Sequence, residues 1–365
     1  MKKVISILFL LLVSSVGAQK FEYGLDAHGF LDNREYKSSY QIPQSMLGIR
    51  VAPELGFGWG GESRQNPSHH IRAGIDGLCE FSGNTDYDFD LRLYYKYQNK
   101  PFTFYLGMFP RADVLGNFPA VFFYDSLTYY RPNITGIYWK YERPKWNASV
   151  FLDWTSRQTK TKREAFIWGL SGLYREKIFF AETQMYMYHR AAYGVPVEGD
   201  HLHDMGALHI AAGLDFTEKT TLDTLYIRAG YIMGLERRRN DPGNWETPKN
   251  LLAECGVEWQ GIGVKNIFFA GEGMMVFYQT PYNQGDLYWG DPFYQAKLYD
   301  RLDFYLKMMN FNRVEAKFAF ALHFTDEGKM STQQVFTLNI HLGNIRESKA
   351  KTDEYFIWQK WFRRK

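Results

Sequence analysis

The chain has 365 residues, with 43 lysines and arginines against 40 aspartates and glutamates, so its formal net charge is only +3. This balance gives no reason to expect a nucleic-acid partner. Aromatic residues make up 18% of the chain although its mean hydropathy is −0.40. Many rings in an otherwise polar sequence are typical of proteins that meet a membrane–water boundary.

The first elements in chain order predict a secretory signal peptide, residues 1–18. A basic start is followed by an apolar stretch from Val4 to Val13 and by small residues up to Ala18, which suits cleavage before Gln19. Beyond this segment no run approaches the roughly 18 apolar residues of a membrane-spanning helix. We therefore expect Sec-dependent export in a Gram-negative cell and no insertion into the inner membrane.

Most of the mature sequence alternates between apolar and polar residues. In residues 313–324, RVEAKFAFALHF, the apolar series runs from Val314 to Phe324 and charged residues such as Glu315 stand between its members. Successive side chains of a β-strand point to opposite faces, so this pattern indicates a strand with one apolar and one polar face.

Sixteen segments of this kind follow one another along the chain. They are predicted at 21–31, 45–58, 69–82, 87–98, 101–109, 133–142, 146–155, 164–175, 178–189, 205–216, 222–234, 250–260, 263–278, 299–309, 313–324 and 333–343. From the fourth segment on, tight turns alternate with long connections. A single-chain outer-membrane barrel has an even strand number and sorts its turns in this way. The sequence therefore predicts an all-β fold, a transmembrane antiparallel up-and-down β-barrel of about sixteen strands, with short periplasmic turns and long extracellular loops.

The predicted domains are the signal peptide at 1–18, the barrel at 19–343 and a periplasmic tail at 344–365. The tail ends in EYFIWQKWFRRK, which is rich in rings and cations. Two interpretations stay open for it, an amphipathic helix in the inner leaflet and a frayed end. The two cysteines, Cys79 and Cys255, fall on apolar faces of separate strands and are expected to be free thiols rather than a disulfide.

Residues 21–343 resemble a Bacteroidota-type outer-membrane β-barrel of porin architecture. The stretches LGMFPRADVLGNFP (106–119), DSLTYYRPN (125–133) and DWTSRQT (153–159) are similar to such proteins. In general porins the external loop after the fifth strand folds into the lumen, and here the connection 110–132 follows the fifth predicted strand. The resemblance implies a pore constriction, for which the loop offers four charged residues: Arg111, Asp113, Asp125 and Arg131.

Two further groups of residues are candidates for contact with solutes or ligands. The polar faces of the strands are expected to line the lumen, with Arg72, Asp76, Asp90, Arg92, Asp153, Glu182, Glu254, Glu315 and Lys317. Cations and rings in the outer loops could hold an anionic sugar, with Arg237, Arg238, Arg239, Trp245 and Trp289. The alternatives are an interior closed by ion pairs, and loops that contact lipopolysaccharide or form an aromatic girdle.

Catalytic signals are weak. Ser171, His201, His203, Asp204 and His341 are the residues to consider, but Ser171 lacks the nucleophile-elbow glycines and the HLHD segment lacks a third metal ligand. We therefore expect no enzyme, no cofactor and no metal. The predicted function is a passive channel for small polar solutes such as saccharides. The alternatives are a non-conducting barrel for adhesion or envelope structure, and a barrel hydrolase. Expected partners are outer-membrane lipid and lipopolysaccharide, the barrel-assembly machinery and, in a homotrimer, further copies of the chain.

Overall fold

The computed structural model describes residues 19–81, 86–116, 118–195, 202–217, 219–239, 244–278, 288–311 and 313–346. The predicted signal peptide lies outside the described residues, and of the predicted tail only residues 344–346 lie within them.

Sixteen strands form most of the described chain. In chain order they are β1 (Lys20–Glu35), β2 (Gln44–Gly60), β3 (Ser68–Glu80), β4 (Asp86–Gln98), β5 (Phe102–Pro110), β6 (Asn133–Glu142), β7 (Trp146–Ser156), β8 (Arg163–Glu176), β9 (Phe179–Tyr193), β10 (His203–Asp215), β11 (Thr224–Arg238), β12 (Lys249–Trp259), β13 (Ile262–Gly271), β14 (Leu298–Phe311), β15 (Val314–Thr325) and β16 (Met330–Gly343). A short helix α1 (Leu127–Tyr130) and two 3₁₀ turns, Arg111–Asp113 and Pro292–Gln295, lie in the connections.

The strands form one closed antiparallel barrel. Each strand pairs with its neighbours in sequence, and β1 pairs with β16, where Leu25 is opposite Leu342. Closure leaves no edge strand, which is the condition for crossing a bilayer with strands. The predicted fold class and strand number are confirmed.

Most connections at one end of the barrel are tight, whereas the two longest connections of the chain lie at the other end. We call the end with the tight connections, such as 143–145 and 260–261, the turn end, and the opposite end the loop end. The connections at the loop end are 36–43, 81–85, 111–132, 157–162, 194–202, 239–248, 272–297 and 326–329.

One predicted strand was too long. The thirteenth segment was predicted to reach residue 278, but β13 ends at Gly271. Gly271 and Gly273 have φ values of +155° and +83°, a conformation that residues with a side chain rarely adopt. The chain therefore leaves the barrel wall at this point, and Met274 and Met275 are buried in the interior instead.

The alternation decides which side chains face outward. On β12, Leu251, Cys255 and Val257 alternate with the buried residues Leu252 and Glu254. Apolar outward-facing side chains are highly exposed on most strands, as a hydrocarbon-facing surface requires. Cys79 and Cys255 are free thiols on two different strands, as expected.

The described residues of two long connections pack in the interior near the loop end. We name residues 111–132 loop A and residues 272–297 loop B. Their backbones are joined by hydrogen bonds from Tyr124 N to Trp289 O (2.6 Å) and from Asp291 N to Ala120 O (2.9 Å). Phe122 of loop A packs against Tyr186 on the wall, with ring centroids 5.0 Å apart. Loop A therefore lies inside the barrel, in an apolar cluster shared with loop B.

Charged substitutions on the outward face are expected to destabilise the barrel. Leu338 on β16 alternates outward, whereas the preceding Thr337 lines the interior cavity. Leu338→Arg should therefore destabilise the barrel by about 2–4 kcal/mol, and Thr337→Arg should assemble almost normally. The measurement is the fraction of heat-modifiable barrel on gels. Equal losses from the two variants would contradict the assignment of the faces.

A buried carboxyl in loop B should make stability depend on pH. Asp291 is 1% exposed and accepts hydrogen bonds from Gln41 Nε2 and Phe293 N, both at 3.0 Å. Burial raises the pKa of this carboxyl to about 6. The folded protein thus holds the proton more tightly than the unfolded chain, so stability should fall as pH rises from about 4 to about 6. Asp291→Asn should weaken this dependence, measured as the midpoint of the heat-induced gel shift at both pH values. If Asp291→Asn left the pH dependence of stability unchanged, that dependence would arise from other groups.

Candidate functional site

The four predicted constriction residues all lie in or beside the interior, and described ion pairs join Arg111, Asp113 and Asp125 to other residues. Arg111 contacts Asp153 on the wall at 2.6 Å, Asp125 contacts Arg301 at 3.1 Å, and Asp113 contacts Arg346 at 3.1 Å. The fourth, Arg131, lies over the Trp289 ring at 5.2 Å. Loop A is thus attached to the barrel wall by charge, and a constricting role for these residues remains a prediction.

A cavity of about 970 Å³ lies between loop A and the turn end, and five of the nine predicted lining residues border it. The five that border the cavity are Asp76, Arg92, Glu182, Glu254 and Lys317. Three others are inward-facing and paired: Arg72 with Glu22, Asp90 with Arg50, and Asp153 with Arg111. Glu315 is exposed near the turn end. Opposite charges dominate the lining and are mostly paired with each other.

The predicted cluster of external cations and rings divides into three parts. Arg237 and Arg239 both contact Asp204, and Trp245 covers the Arg237 guanidinium at 4.4 Å. Arg238 instead lies over the Phe277 ring of loop B at 4.6 Å. The predicted position of Trp289 in the outer loops is wrong. It is 4% exposed inside the barrel between Arg111 and Arg131, because loop B folds inward.

A row of side chains crosses five neighbouring strands on the outer face close to the loop end. Strand pairing places Trp154 opposite Phe166, Phe166 opposite His189, His189 opposite Asp204, and Asp204 opposite Arg237. The contacts follow the same order. The Trp154 and Phe166 rings are 5.4 Å apart, Phe166 and His189 are 5.0 Å apart, and His189 Nδ1 is 2.7 Å from Asp204 Oδ1.

The His189–Asp204 pair has the geometry of a catalytic dyad. An ionised carboxylate only accepts hydrogen bonds, so Nδ1 of His189 carries a proton, and in the neutral ring Nε2 keeps its lone pair. Such a tautomer can take a proton from water, while the carboxylate stabilises the imidazolium that forms. Asp204 is held in turn by Arg237 Nε at 3.0 Å and Arg239 Nε at 2.8 Å.

The other candidate catalytic residues do not form a comparable outward-facing site. His341 contacts Asp26 at 2.6 Å, but this pair faces the interior cavity. Ser171 shares a hydrogen bond with Ser149 and lies on β8, across the barrel from His341 on β16. The structure therefore does not bring Ser171 and His341 together. His201 lies outside the described residues.

His189 is not among the catalytic residues predicted from the sequence. The alternation MYMYHRAAY places His189 outward near the end of a strand, where an ionisable ring on a lipid-facing surface is unusual. That signal was present in the sequence, but the partner Asp204 was visible only as part of a weak metal motif. In the described part of the chain, no group of three or more His, Cys, Asp or Glu is placed to hold a metal ion.

Comparison with solved structures shows the fold. The chain is similar to Salmonella typhi OmpF in a complex with daunomycin, with a TM-score of 0.51 and 11% identity over 89% of this chain and 98% of that chain. It is also similar to Acinetobacter baumannii OccAB3, with a TM-score of 0.46 and 11% identity over 89% and 100% of the two chains. The predicted resemblance to a barrel of porin architecture is confirmed. Among the described residues, no helix is long and apolar enough to span a membrane.

No curated protein matches the chain. A family model described as "Lipid A 3'-O-deacylase-type" matches residues 13–344. Because that family is named for an enzyme, the prediction that the protein is not an enzyme is wrong. The missing serine motif and the incomplete metal motif led to it, and neither absence excludes hydrolysis by water activated on a histidine. The match covers most of the chain, which therefore belongs to the lipid A 3′-O-deacylase-type family.

Proposed function

We propose that the protein hydrolyses an acyl ester of lipid A in the outer leaflet of the outer membrane, with His189 as general base and Asp204 as the residue that orients it. The single observation that carries this proposal is the outward-facing His189–Asp204 pair near the loop end. The family match supplies the reaction class.

The position of the pair suits a lipid substrate. In barrels of this class the long loops are extracellular, so the loop end lies at the outer leaflet, where the ester groups of a glycolipid meet the polar headgroup. The closed ladder of strand hydrogen bonds separates the interior from the bilayer. A bilayer lipid therefore reaches His189 directly, whereas His341 and Asp26 face the interior cavity.

The reaction needs only water as co-reactant. His189 Nε2 accepts a proton as the water oxygen bonds to the ester carbonyl carbon, which gives a tetrahedral oxyanion. When the bond from the carbonyl carbon to the sugar oxygen breaks, the imidazolium returns the proton to that oxygen. The products are a fatty acid and a free sugar hydroxyl.

Purified protein in lipid A-containing vesicles tests the function. We expect mass spectrometry to show lipid A that has lost one acyl chain, together with the matching free fatty acid. Intact lipid A after incubation with folded barrel would contradict the proposal. If the His341→Gln variant lost activity and His189→Gln retained it, the reaction would belong to the interior pair instead.

A passive channel is the second candidate, and the charged cavity of about 970 Å³ favours it. Planar-bilayer recording tests it, because stepwise openings would support passage of small polar solutes. If no conductance were recorded at high protein load, the channel would be contradicted and only the hydrolase proposal would remain.

A further inference from the structure

We propose that Arg237 and Arg239 form an anion subsite that recognises a phosphate or a sugar carboxylate of the glycolipid headgroup. This inference rests on the proposed function, because it names what holds the substrate beside His189. It also commits the site to a substrate with an acidic headgroup rather than to any acyl ester.

The charges around Asp204 do not cancel. Two guanidinium groups contact one carboxylate, and His189 is neutral when it acts as a base. Among the residues that the structure describes around Asp204, one positive charge is therefore left over. The Arg237 and Arg239 side chains are 33% and 42% exposed, whereas Asp204 is 5% exposed. An incoming anion thus meets the two cations before it meets the carboxylate.

Both guanidinium groups are held in place before a ligand arrives. Arg237 uses Nε to contact Asp204 and lies over the Trp245 ring at 4.4 Å. Arg239 is joined to Asp204 through Nε and Nη2, and its backbone N–H donates to Leu202 O at 2.9 Å. A planar guanidinium that is already oriented loses less entropy on forming paired hydrogen bonds to phosphate or carboxylate.

The neighbouring Arg238 provides a matched control in the same strand. The alternation of β11 turns its side chain away from Asp204, and its guanidinium lies over the Phe277 ring at 4.6 Å. Arg237→Gln and Arg238→Gln remove the same charge from adjacent positions. Only the first should change the selectivity of the site.

The test compares three substrates in vesicles: phosphorylated lipid A, the same lipid without phosphate, and the phosphate-free lipid carrying acidic sugars. For wild-type protein we expect kcat/KM to be about 10- to 100-fold higher for phosphorylated lipid A than for the neutral lipid. The third substrate identifies the source of the anion, since acidic sugars should restore activity if a carboxylate serves as well as a phosphate.

Arg237→Gln should bring the ratio of kcat/KM for phosphorylated lipid A to kcat/KM for the neutral lipid close to one, mainly through a higher KM for phosphorylated lipid A. Arg238→Gln should keep the wild-type ratio, and Arg237→Lys should recover part of it because it restores charge without the planar fork. Equal wild-type rates on all three substrates would overturn the anion subsite while leaving the hydrolase proposal intact. Hydrolysis of none of the three would instead contradict the hydrolase proposal itself.

Discussion

Replacing His189 with glutamine is expected to lower the rate of lipid A deacylation by about 10²- to 10⁴-fold, the usual contribution of a positioned general base. Glutamine can still hydrogen-bond to Asp204, so the barrel should fold, but an amide cannot take a proton from water. The measurement is release of fatty acid by purified protein. Asp204→Asn should also lower the rate, because an amide can stabilise the unwanted tautomer of His189 and cannot compensate the imidazolium.

A second histidine in the same hairpin supplies the control. His209 on β10 faces inward, where its Nδ1 contacts Gln184 at 2.7 Å. His209→Gln should keep wild-type deacylation, since the residue has no contact with the outer face. If His189→Gln and His209→Gln were equally active, the outward dyad would have no catalytic role, and the row of contacts would be a structural ion-pair network.

Removal of the Asp153 carboxylate is expected to cost about 3–5 kcal/mol, because it leaves a buried guanidinium without its counter-charge. Arg111 is 7% exposed and contacts Asp153 at 2.6 Å. Its guanidinium also donates hydrogen bonds to the carbonyl oxygens of Arg131 and Asn133, both at 3.0 Å. Asp153→Ala should therefore loosen loop A and lower the temperature of the heat-induced gel shift. Limited proteolysis should then cut loop A in the variant before the wild-type protein.

An exposed ion pair on the neighbouring strand is the comparison. Lys140 and Glu142 are 2.8 Å apart with side chains 28% and 57% exposed, and such pairs contribute roughly 0–1 kcal/mol. Glu142→Ala should accordingly change stability little. Equal shifts from Asp153→Ala and Glu142→Ala would mean that loop A is held by its apolar cluster rather than by the Arg111 pair.

The sequence by itself determined the barrel and the orientation of its faces. Side chains alternate with a period of two, so Val314, Cys255 and Leu338 could be assigned outward and Glu254 and Lys317 inward without knowledge of which strands pair. The sorting of turns and loops then determined the up-and-down topology. These are local properties, and each is repeated in sixteen strands.

The site depended on properties that no single strand carries. His189, Asp204 and Arg237 meet because the registers of β9, β10 and β11 align them, and register depends on the whole ladder. Likewise, the inward turn at Gly271 carries Trp289 away from the surface and beneath Arg111. Long-range pairing and loop packing are decided by the free energy of the closed barrel and its filled interior, which a residue pattern read along the chain does not contain.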